Sequence, residues 1–194
     1  MAAVAVPVLQ LFGMPAWRAR PDEAQVLAPE RPAQVLVYLA CRRDWVTRDE
    51  LAEWLFPERA QSVARANLRK VLLLARKLEH LPPIEQQGDR LRWAPDSDLG
   101  RFDAACAEGR HVDALVWHGA PLLTGFESHL SPTAAEWLRF ERERVVGRWR
   151  AALASRLQEL ATNPRELVHV AETALATDPF DEATLVALVR ARQA

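Results

Sequence analysis

The sequence predicts an α+β fold in two parts. In the first 95 residues, short β-prone runs precede three amphipathic helical segments and a hairpin signal. This is the order of a winged helix-turn-helix with a small antiparallel sheet and a wing hairpin. From residue 96 onward the pattern is all-α, with short turns that are typical of tetratricopeptide-like helical pairs. A chain of 194 residues has the length of two small domains, which we expect at 1–95 and 96–194.

The composition is that of a globular protein, since 49% of the residues are hydrophobic and 26% are charged. It excludes a disordered chain, and Cys41 and Cys106 are too few for a disulfide framework. No apolar run approaches the ~20 residues of a membrane span. The N-terminus lacks the basic start of a signal peptide, and Pro7 interrupts its apolar stretch. We therefore expect a cytoplasmic protein without a membrane partner.

Three short β-prone runs open the chain, at 6–12, 15–20 and 24–28. The segments 13–15 and 20–23 separate them, and both carry turn-forming residues. Turns between three short runs predict a small antiparallel sheet.

Two helices are predicted next, at about 31–42 and 48–56. The first has Pro32 in its first turn, where a missing N–H costs least. The second begins with a capping box, in which the Thr47 hydroxyl accepts an N–H of the first turn and Glu50 reaches back.

The third predicted helix, at about 60–80, ends before a pair of prolines. The Gly88-Asp89 pair then lies between two alternating runs over 84–93, which indicates a hairpin. The helical spacing places one apolar stripe on the core side of this helix, formed by Ala64, Leu68, Val71, Ala75 and Leu78.

In the second half of the chain, capping residues predict where the helices begin. Thr133 and Glu136 form a second capping box that opens a long helix to about 161, and Asn163 caps the next one. The helix that Asn163 caps is expected to run from 164 to about 177. The remaining helices in this half are expected at about 99–108, 111–118 and 181–193.

The third helix carries the strongest functional signal, because five basic residues and one acid, Glu79, lie between 60 and 80. Cationic side chains opposite the core stripe can reach phosphates and guanine edges in a major groove, and the small Ala66 permits close approach. A solvated basic face is the alternative, and the place between a capped helix and a hairpin favours DNA. The exposed side is expected to hold Ser62, Arg65, Ala66, Arg69, Lys70, Leu73, Arg76 and Lys77.

Other arginines are candidates for further contacts with DNA. Arg90 and Arg92 alternate along the second hairpin strand, so they share a face that can enter a minor groove or hold phosphate. Three arginines flank the start of the second helix and can bind backbone phosphates, namely Arg42, Arg43 and Arg48. The alternative is a polar outer face of a small sheet for the two hairpin arginines, and ordinary surface charge for the other three.

Catalytic and metal-binding patterns are absent from the sequence. The five histidines do not have a ligand spacing, and no cysteine pair completes a zinc pattern. The serines lack a nucleophile elbow, and there is no glycine-rich phosphate loop. We therefore expect no enzymatic activity, no metal and no cofactor.

The chain resembles the SARP family of bacterial transcriptional activators, which join an OmpR-type winged helix to a bacterial transcriptional activator domain of tetratricopeptide-like helices. Leu72-Leu73-Leu74 departs from the family, which usually has a polar residue there. The segments that carry the resemblance are LQLFG (9–13), VLVYLA (35–40), TRDELAEWLFPE (47–58), ARANLRKVLLLARKL (64–78), DRLRW (89–93), GAPLLTGF (119–126), EWLRFERER (136–144) and ALATDPFDEA (174–183).

The resemblance implies a regulator of transcription, an activator, that binds specific double-stranded DNA. It further implies that paired protomers bind direct repeats and that the protein contacts RNA polymerase and its sigma factor. From their positions on the third helix, Arg65, Arg69 and Lys70 are expected to face the groove. The residues better placed for phosphate are Arg43, Arg76 and Lys77.

Two alternatives stay open. In one, the chain is a protein-interaction module, in which the winged helix has lost DNA binding and serves as a scaffold while the helical array holds a peptide or a sister domain. Leu73 and the net charge of only +3 over residues 1–95 favour this alternative. In the other, the chain is a truncated piece of a larger regulator with an ATPase region downstream. The helix 181–193 is apolar on more than one side, so we expect a second protomer or further helices to cover it.

Overall fold

The structure is a computed structural model, and it describes residues 8–20, 23–78, 80–117 and 120–193. Small antiparallel sheets lie in the N-terminal part and helices follow, which confirms the predicted fold class. Some predictions fall partly outside the described residues, namely the start of the run 6–12, the turn at Pro21-Asp22, Glu79 and the end of the helix 111–118.

The strands and helices follow the predicted order. The strands are β1 (Val8–Gln10), β2 (Ala16–Arg20), β3 (Glu23–Val26), β4 (Val46–Thr47), β5 (Glu85–Gln87) and β6 (Arg90–Arg92). The helices are α1 (Arg31–Arg42), α2 (Arg48–Leu55), α3 (Gln61–Ala75), α4 (Asp98–Ala107), α5 (His111–Val116), α6 (Pro132–Glu159), α7 (Pro164–Thr177) and α8 (Glu182–Gln193), with a short 3-10 helix at Glu127–His129.

These elements form two compact units. The first takes the described residues up to Arg101 and the segment 120–143, and the second takes 102–117 and the residues from Arg144 onward. Compactness reflects contacts within the folded chain, whereas a domain is a part that can fold alone. The division into two domains near residue 95 therefore stays a prediction.

The N-terminal sheet has the order β1-β2-β3, and all its pairs are antiparallel, as predicted. Leu9 faces Trp17 across the first pair, and both side chains are buried. The next segment of chain is held by Asp98, whose carboxylate accepts hydrogen bonds from the backbone N–H groups of Leu11 and Phe12 at 2.8 and 3.0 Å. Asp98 therefore ties the end of β1 to the start of α4.

The predicted capping of α2 is half right. The Thr47 hydroxyl accepts a hydrogen bond from the backbone N–H of Glu50 at 3.1 Å, as a capping residue should. The Glu50 side chain does not complete the box, because its carboxylate accepts from the Tyr38 hydroxyl at 3.1 Å and pairs with Arg42. Two partners on α1 thus take the carboxylate that was expected to reach back.

Helix α3 ends at Ala75, five residues earlier than predicted. Beyond it, the N–H groups of Lys77 and Leu78 bond to carbonyls three residues back, which tightens the chain into a turn. The prolines at 82 and 83 have no N–H to continue a helix. Four residues of the predicted core stripe are buried and Leu78 is half-buried, while Leu72 is also buried.

The hairpin of β5 and β6 forms as predicted, and a third strand, β4, pairs with it. Gly88 has a φ of 60°, the left-handed conformation that a tight turn between β5 and β6 requires. Strand β4 pairs with the other side of β6, so the small sheet has the order β4-β6-β5. The hairpin is thereby joined to the start of α2, since Thr47 of β4 is the N-cap of that helix.

Helix α6 begins at Pro132, and its start corrects the predicted capping box. The Ser131 hydroxyl accepts a hydrogen bond from the N–H of Ala134 at 3.3 Å, so Ser131 is the capping residue. Thr133 lies inside the first turn. Proline is favoured at the first helical position, because its missing N–H has no partner there in any case.

The second compact unit is helical. Asn163 caps α7 as predicted, with its side-chain oxygen 3.4 Å from the backbone N of Glu166. On α8, Leu188 is buried, whereas Leu185, Val186 and Val189 are exposed. The cover expected for this helix is not formed by the described residues of the chain, since these side chains are solvent-accessible.

Candidate nucleic-acid interface

Helix α3 packs on α1 and α2 through its buried stripe and turns its other side to solvent. Each of the eight residues predicted for the exposed side is exposed. Leu73, an apolar residue among these cations, is 57% exposed. The exposed face consists of Ser62, Arg65, Ala66, Arg69, Lys70 and Leu73 on α3, with Arg76 and Lys77 in the turn that follows.

Arg65 is held by a carboxylate that the sequence argument missed. Asp49, in the first turn of α2, accepts hydrogen bonds from the Nε and Nη2 atoms of Arg65. The amide of Gln61, one turn earlier on α3, also donates to Asp49 at 3.3 Å. The hydrogen bond from Arg65 lowers the pKa of Asp49, and the same bond raises the pKa of Arg65.

Arg69 and Lys70 differ from Arg65, because they form no ion pair or side-chain hydrogen bond with any described residue. A depression lies beside Arg69, between the start of α2, the middle turns of α3 and the hairpin turn. The turn is attached to α2 there, since the Arg48 N–H donates to the Asp89 carbonyl at 3.0 Å. The depression is lined by Arg48, Asp49, Arg65, Leu68, Arg69 and Asp89.

The two hairpin arginines have different surroundings. Arg92 donates to both carboxylate oxygens of Glu85 at 3.1 and 2.6 Å, and its guanidinium lies 4.9 Å from the centre of the Trp45 ring. The hydrogen bond from Arg92 lowers the pKa of Glu85. Arg90 is exposed and has no ion pair among the described residues. Of the two, Arg90 has the side chain that is available to a ligand.

The remaining predicted cations lie outside α3. Arg76 donates to the Gln86 side chain at 3.3 Å, which links the turn after α3 to β5. Lys77 is exposed, and no ion pair to it occurs within the described ranges. Arg43 adopts a left-handed conformation after α1, with a φ of 55°. The Arg43 guanidinium occupies the space that Gly100 leaves open, because a Cβ at Gly100 would lie 1.7 Å from Nη1 of Arg43.

Neither a cluster of metal ligands nor a membrane-spanning helix is found among the described residues. No group of three or more histidine, cysteine, aspartate or glutamate side chains in residues 8–20, 23–78, 80–117 and 120–193 is arranged to hold a metal ion. Within those same ranges, no helix combines the length and the apolar character that crossing a bilayer requires.

Comparisons with known proteins agree with the fold. No protein-family model and no curated protein matches the sequence. Among solved structures, the chain is similar to Mycobacterium tuberculosis EmbR in complex with a low-affinity phosphopeptide, with a TM-score of 0.66 and 20% sequence identity. The match covers 95% of this chain and 54% of EmbR, so the chain spans about half the length of that protein. The chain therefore shares the fold of the matched part of EmbR.

Proposed function

We propose that this protein regulates transcription by binding specific double-stranded DNA, with α3 as the recognition helix. The observation that carries the proposal is the exposed face of α3, on which Arg69 and Lys70 are without partners among the described residues. The fold shared with EmbR supports it, as does the resemblance of the sequence to the SARP family of transcriptional activators. The first residues of such a helix contact base edges while the preceding helix crosses the backbone.

The chemistry of the face assigns different roles to its residues. Arg65 and Arg69 have guanidinium groups that can donate two parallel hydrogen bonds to guanine, and Ala66 between them allows the backbone to approach. Lys70 faces the groove with them, where its ammonium group can donate to guanine. Lys77 acts as a point charge toward phosphates, and Arg76 and Arg43 are assigned to phosphates as well. Arg90 on the hairpin is assigned to the minor groove or the adjoining phosphates.

The finer parts of the proposal rest on the family resemblance. In them the protein is an activator, paired protomers occupy direct repeats, and the DNA-bound protein contacts RNA polymerase and its sigma factor. Transcription from a bound promoter, reconstituted with purified polymerase, tests them. Stimulation that requires Arg69 supports activation, and occupancy without stimulation contradicts it.

A second candidate function, protein binding by the winged helix, is favoured by the apolar residues on α3. Leu73 and Leu74 are more than half exposed, and Val63 is nearly so. Exposed aliphatic side chains on one helix are typical of protein interfaces. In this alternative the cations surround an apolar contact and do not read bases.

Selection of bound sequences from random duplex DNA separates the two functions. We expect an enriched sequence, and an affinity for it that falls about a hundredfold between about 50 and 200 mM salt, as for about four phosphate contacts. Failure to enrich any sequence, together with an affinity that barely changes with salt, would contradict DNA binding and leave the protein-binding function.

A matched pair of variants shows whether α3 is responsible. Arg69→Ala/Lys70→Ala removes two cations from α3, and Arg165→Ala/Arg190→Ala removes two exposed cations from α7 and α8. The net charge changes equally, so a loss of affinity confined to the first variant assigns DNA binding to α3. Equal losses would indicate that the overall charge alone attracts DNA.

A further inference from the structure

The ion pair between Asp49 and Arg65 places an acid on the surface that the proposed function assigns to DNA, a polyanion. A lone carboxylate there would repel phosphates. Asp49 is not alone, since it accepts hydrogen bonds from Arg65 and Gln61, which are four residues apart on α3. The acid thus contacts two successive turns of the proposed recognition helix.

The ion pair has little to contribute to stability. The side chains of Arg65 and Asp49 are 50% and 43% exposed, and exposed ion pairs are commonly near neutral for the free energy of unfolding. What the pair does fix is geometry, because two parallel hydrogen bonds hold the planar guanidinium in one orientation. An arginine without such a partner loses rotamer freedom each time it binds a ligand.

The edge of the guanidinium that Asp49 occupies decides what Arg65 can still do. Asp49 accepts from Nε and Nη2, and a guanidinium has five N–H groups. The outer N–H of Nη2 and both N–H groups of Nη1 stay available, since no other side chain of the described residues bonds to them. These are the donors that an arginine directs to the O6 and N7 atoms of guanine.

We propose that Asp49 is a positioning residue that orients Arg65 to read one guanine in the major groove. The inference deepens the proposed function and rests on it. Asp49 itself touches no base, and it acts by presenting the free edge of Arg65 in a fixed orientation. Arg69 and Lys70 lack such support, so the base that Arg65 reads is expected to be the most strictly specified by α3.

The competing explanation is that Asp49 masks Arg65. A masking acid lowers the affinity for every duplex, and its removal strengthens binding to all sequences alike. A positioning acid makes the opposite prediction for specificity, because its removal relaxes the preference at one base pair. The two explanations therefore differ in the pattern of base preference across the single-base-pair variants.

The test uses wild-type protein to select a preferred duplex, and then measures affinities for that duplex and for its single-base-pair variants by fluorescence anisotropy. For Asp49→Asn we expect about a tenfold loss of preference at one guanine, within the range for a bidentate arginine–guanine contact. Arg65→Ala should relax the same position, and Asp49→Asn should add little to it in the double variant. Asp49→Glu, which keeps the carboxylate, should restore part of the preference.

Glu53→Gln is the matched control, because it removes one exposed acid from α2 that has no ion pair among the described residues. It should leave the preference at every position unchanged. Asp49→Ala, checked for folding by circular dichroism, provides a second removal of the carboxylate and should match Asp49→Asn.

The outcomes distinguish a failure of the proposed function from a failure of the role assigned to Asp49. A wild-type protein that selects no sequence would overturn the proposed function and this inference with it. A wild-type protein that selects a sequence which Asp49→Asn reads with unchanged preference would overturn this inference alone. Uniformly tighter binding by Asp49→Asn to all duplexes would establish masking and would equally contradict positioning.

Discussion

Two aspartates of the first compact unit have opposite surroundings. Asp98 at the start of α4 is 5% exposed and accepts hydrogen bonds from three backbone N–H groups, those of Leu11, Phe12 and Leu99. Asp49 at the start of α2 has a side chain that is 43% exposed, and it binds the side chains of Arg65 and Gln61. The same residue type joins elements of the fold in one region and faces a prospective ligand in the other.

The pKa values reflect this difference. Burial raises the pKa of Asp98 to about 6, although its backbone hydrogen bonds act in the other direction. The hydrogen bond from Arg65 lowers the pKa of Asp49. Burial makes the Asp98 carboxylate costly to ionise, although the backbone N–H groups that it accepts from and the nearby charge of Arg101 act in the other direction.

The largest expected effect is on stability. Asp98→Ala removes the carboxylate that accepts from the buried N–H groups of Leu11 and Phe12, and we expect a loss of about 2–5 kcal/mol in the free energy of unfolding. Urea denaturation measures it. Asp96→Ala is the control, because Asp96 forms an exposed ion pair with Arg101, and such pairs contribute about 0–1 kcal/mol. Equal losses in the two variants would remove the distinction between buried and exposed aspartates.

The second prediction concerns pH. The folded protein binds a proton at Asp98 with a pKa of about 6, whereas the unfolded chain binds it near the ordinary value of 3.8. Protonation therefore favours the folded state between these values, and this stabilisation is lost as the pH rises from about 4 through 6. The advantage of the wild type over Asp98→Asn should shrink by up to about 3 kcal/mol over that range.

Unfolding both proteins in urea at several pH values checks this prediction, since the variant cancels the contributions of all other carboxylates. An advantage that grows with pH would show that the hydrogen bonds outweigh burial at Asp98. In that case the pKa values of Asp98 and Asp49 would both be lowered, and the two aspartates would differ only in the size of the shift.

The third prediction sharpens the contrast on the ligand side. Arg69→Ala should relax the sequence preference by about 1–3 kcal/mol, because Arg69 lies in the middle of the exposed face of α3. Lys77→Ala should weaken binding to all duplexes alike, since it lies in the turn beyond the helix. Binding of both variants to the selected and to random duplexes measures this. Matching effects on both duplexes would refute the separate roles.

Local signals were sufficient for most elements of the fold. Thr47 and Asn163 cap the helices that their sequences predicted, and the Gly88-Asp89 pair forms the expected turn. The start of α6 was misjudged, although Ser131 before Pro132 is itself a start signal. Each of these features depends on residues within a few positions, which is the distance over which sequence patterns are informative.

The two aspartates were missed because their partners are distant in sequence. Asp98 bonds to residues 86 and 87 positions earlier, and Asp49 bonds to Arg65 across 16 positions. The sequence placed the cations of α3 on one face, but it did not distinguish the held Arg65 from Arg69. That distinction depends on how α2 packs against α3, which no periodicity in either helix encodes.

The smallest expected effect completes the comparison. Asp49→Asn should leave the urea midpoint of unfolding unchanged within the precision of the measurement, because both partners of the ion pair are exposed and water can replace each of them. The same variant should change base preference, whereas Asp98→Ala should lower stability. A midpoint for Asp49→Asn that falls as far as that of Asp98→Ala would show that the contact of Asp49 with α3 supports the fold. The loss of base preference would then reflect a displaced helix, and the assignment of Asp49 to DNA reading would fail even if the preference changed.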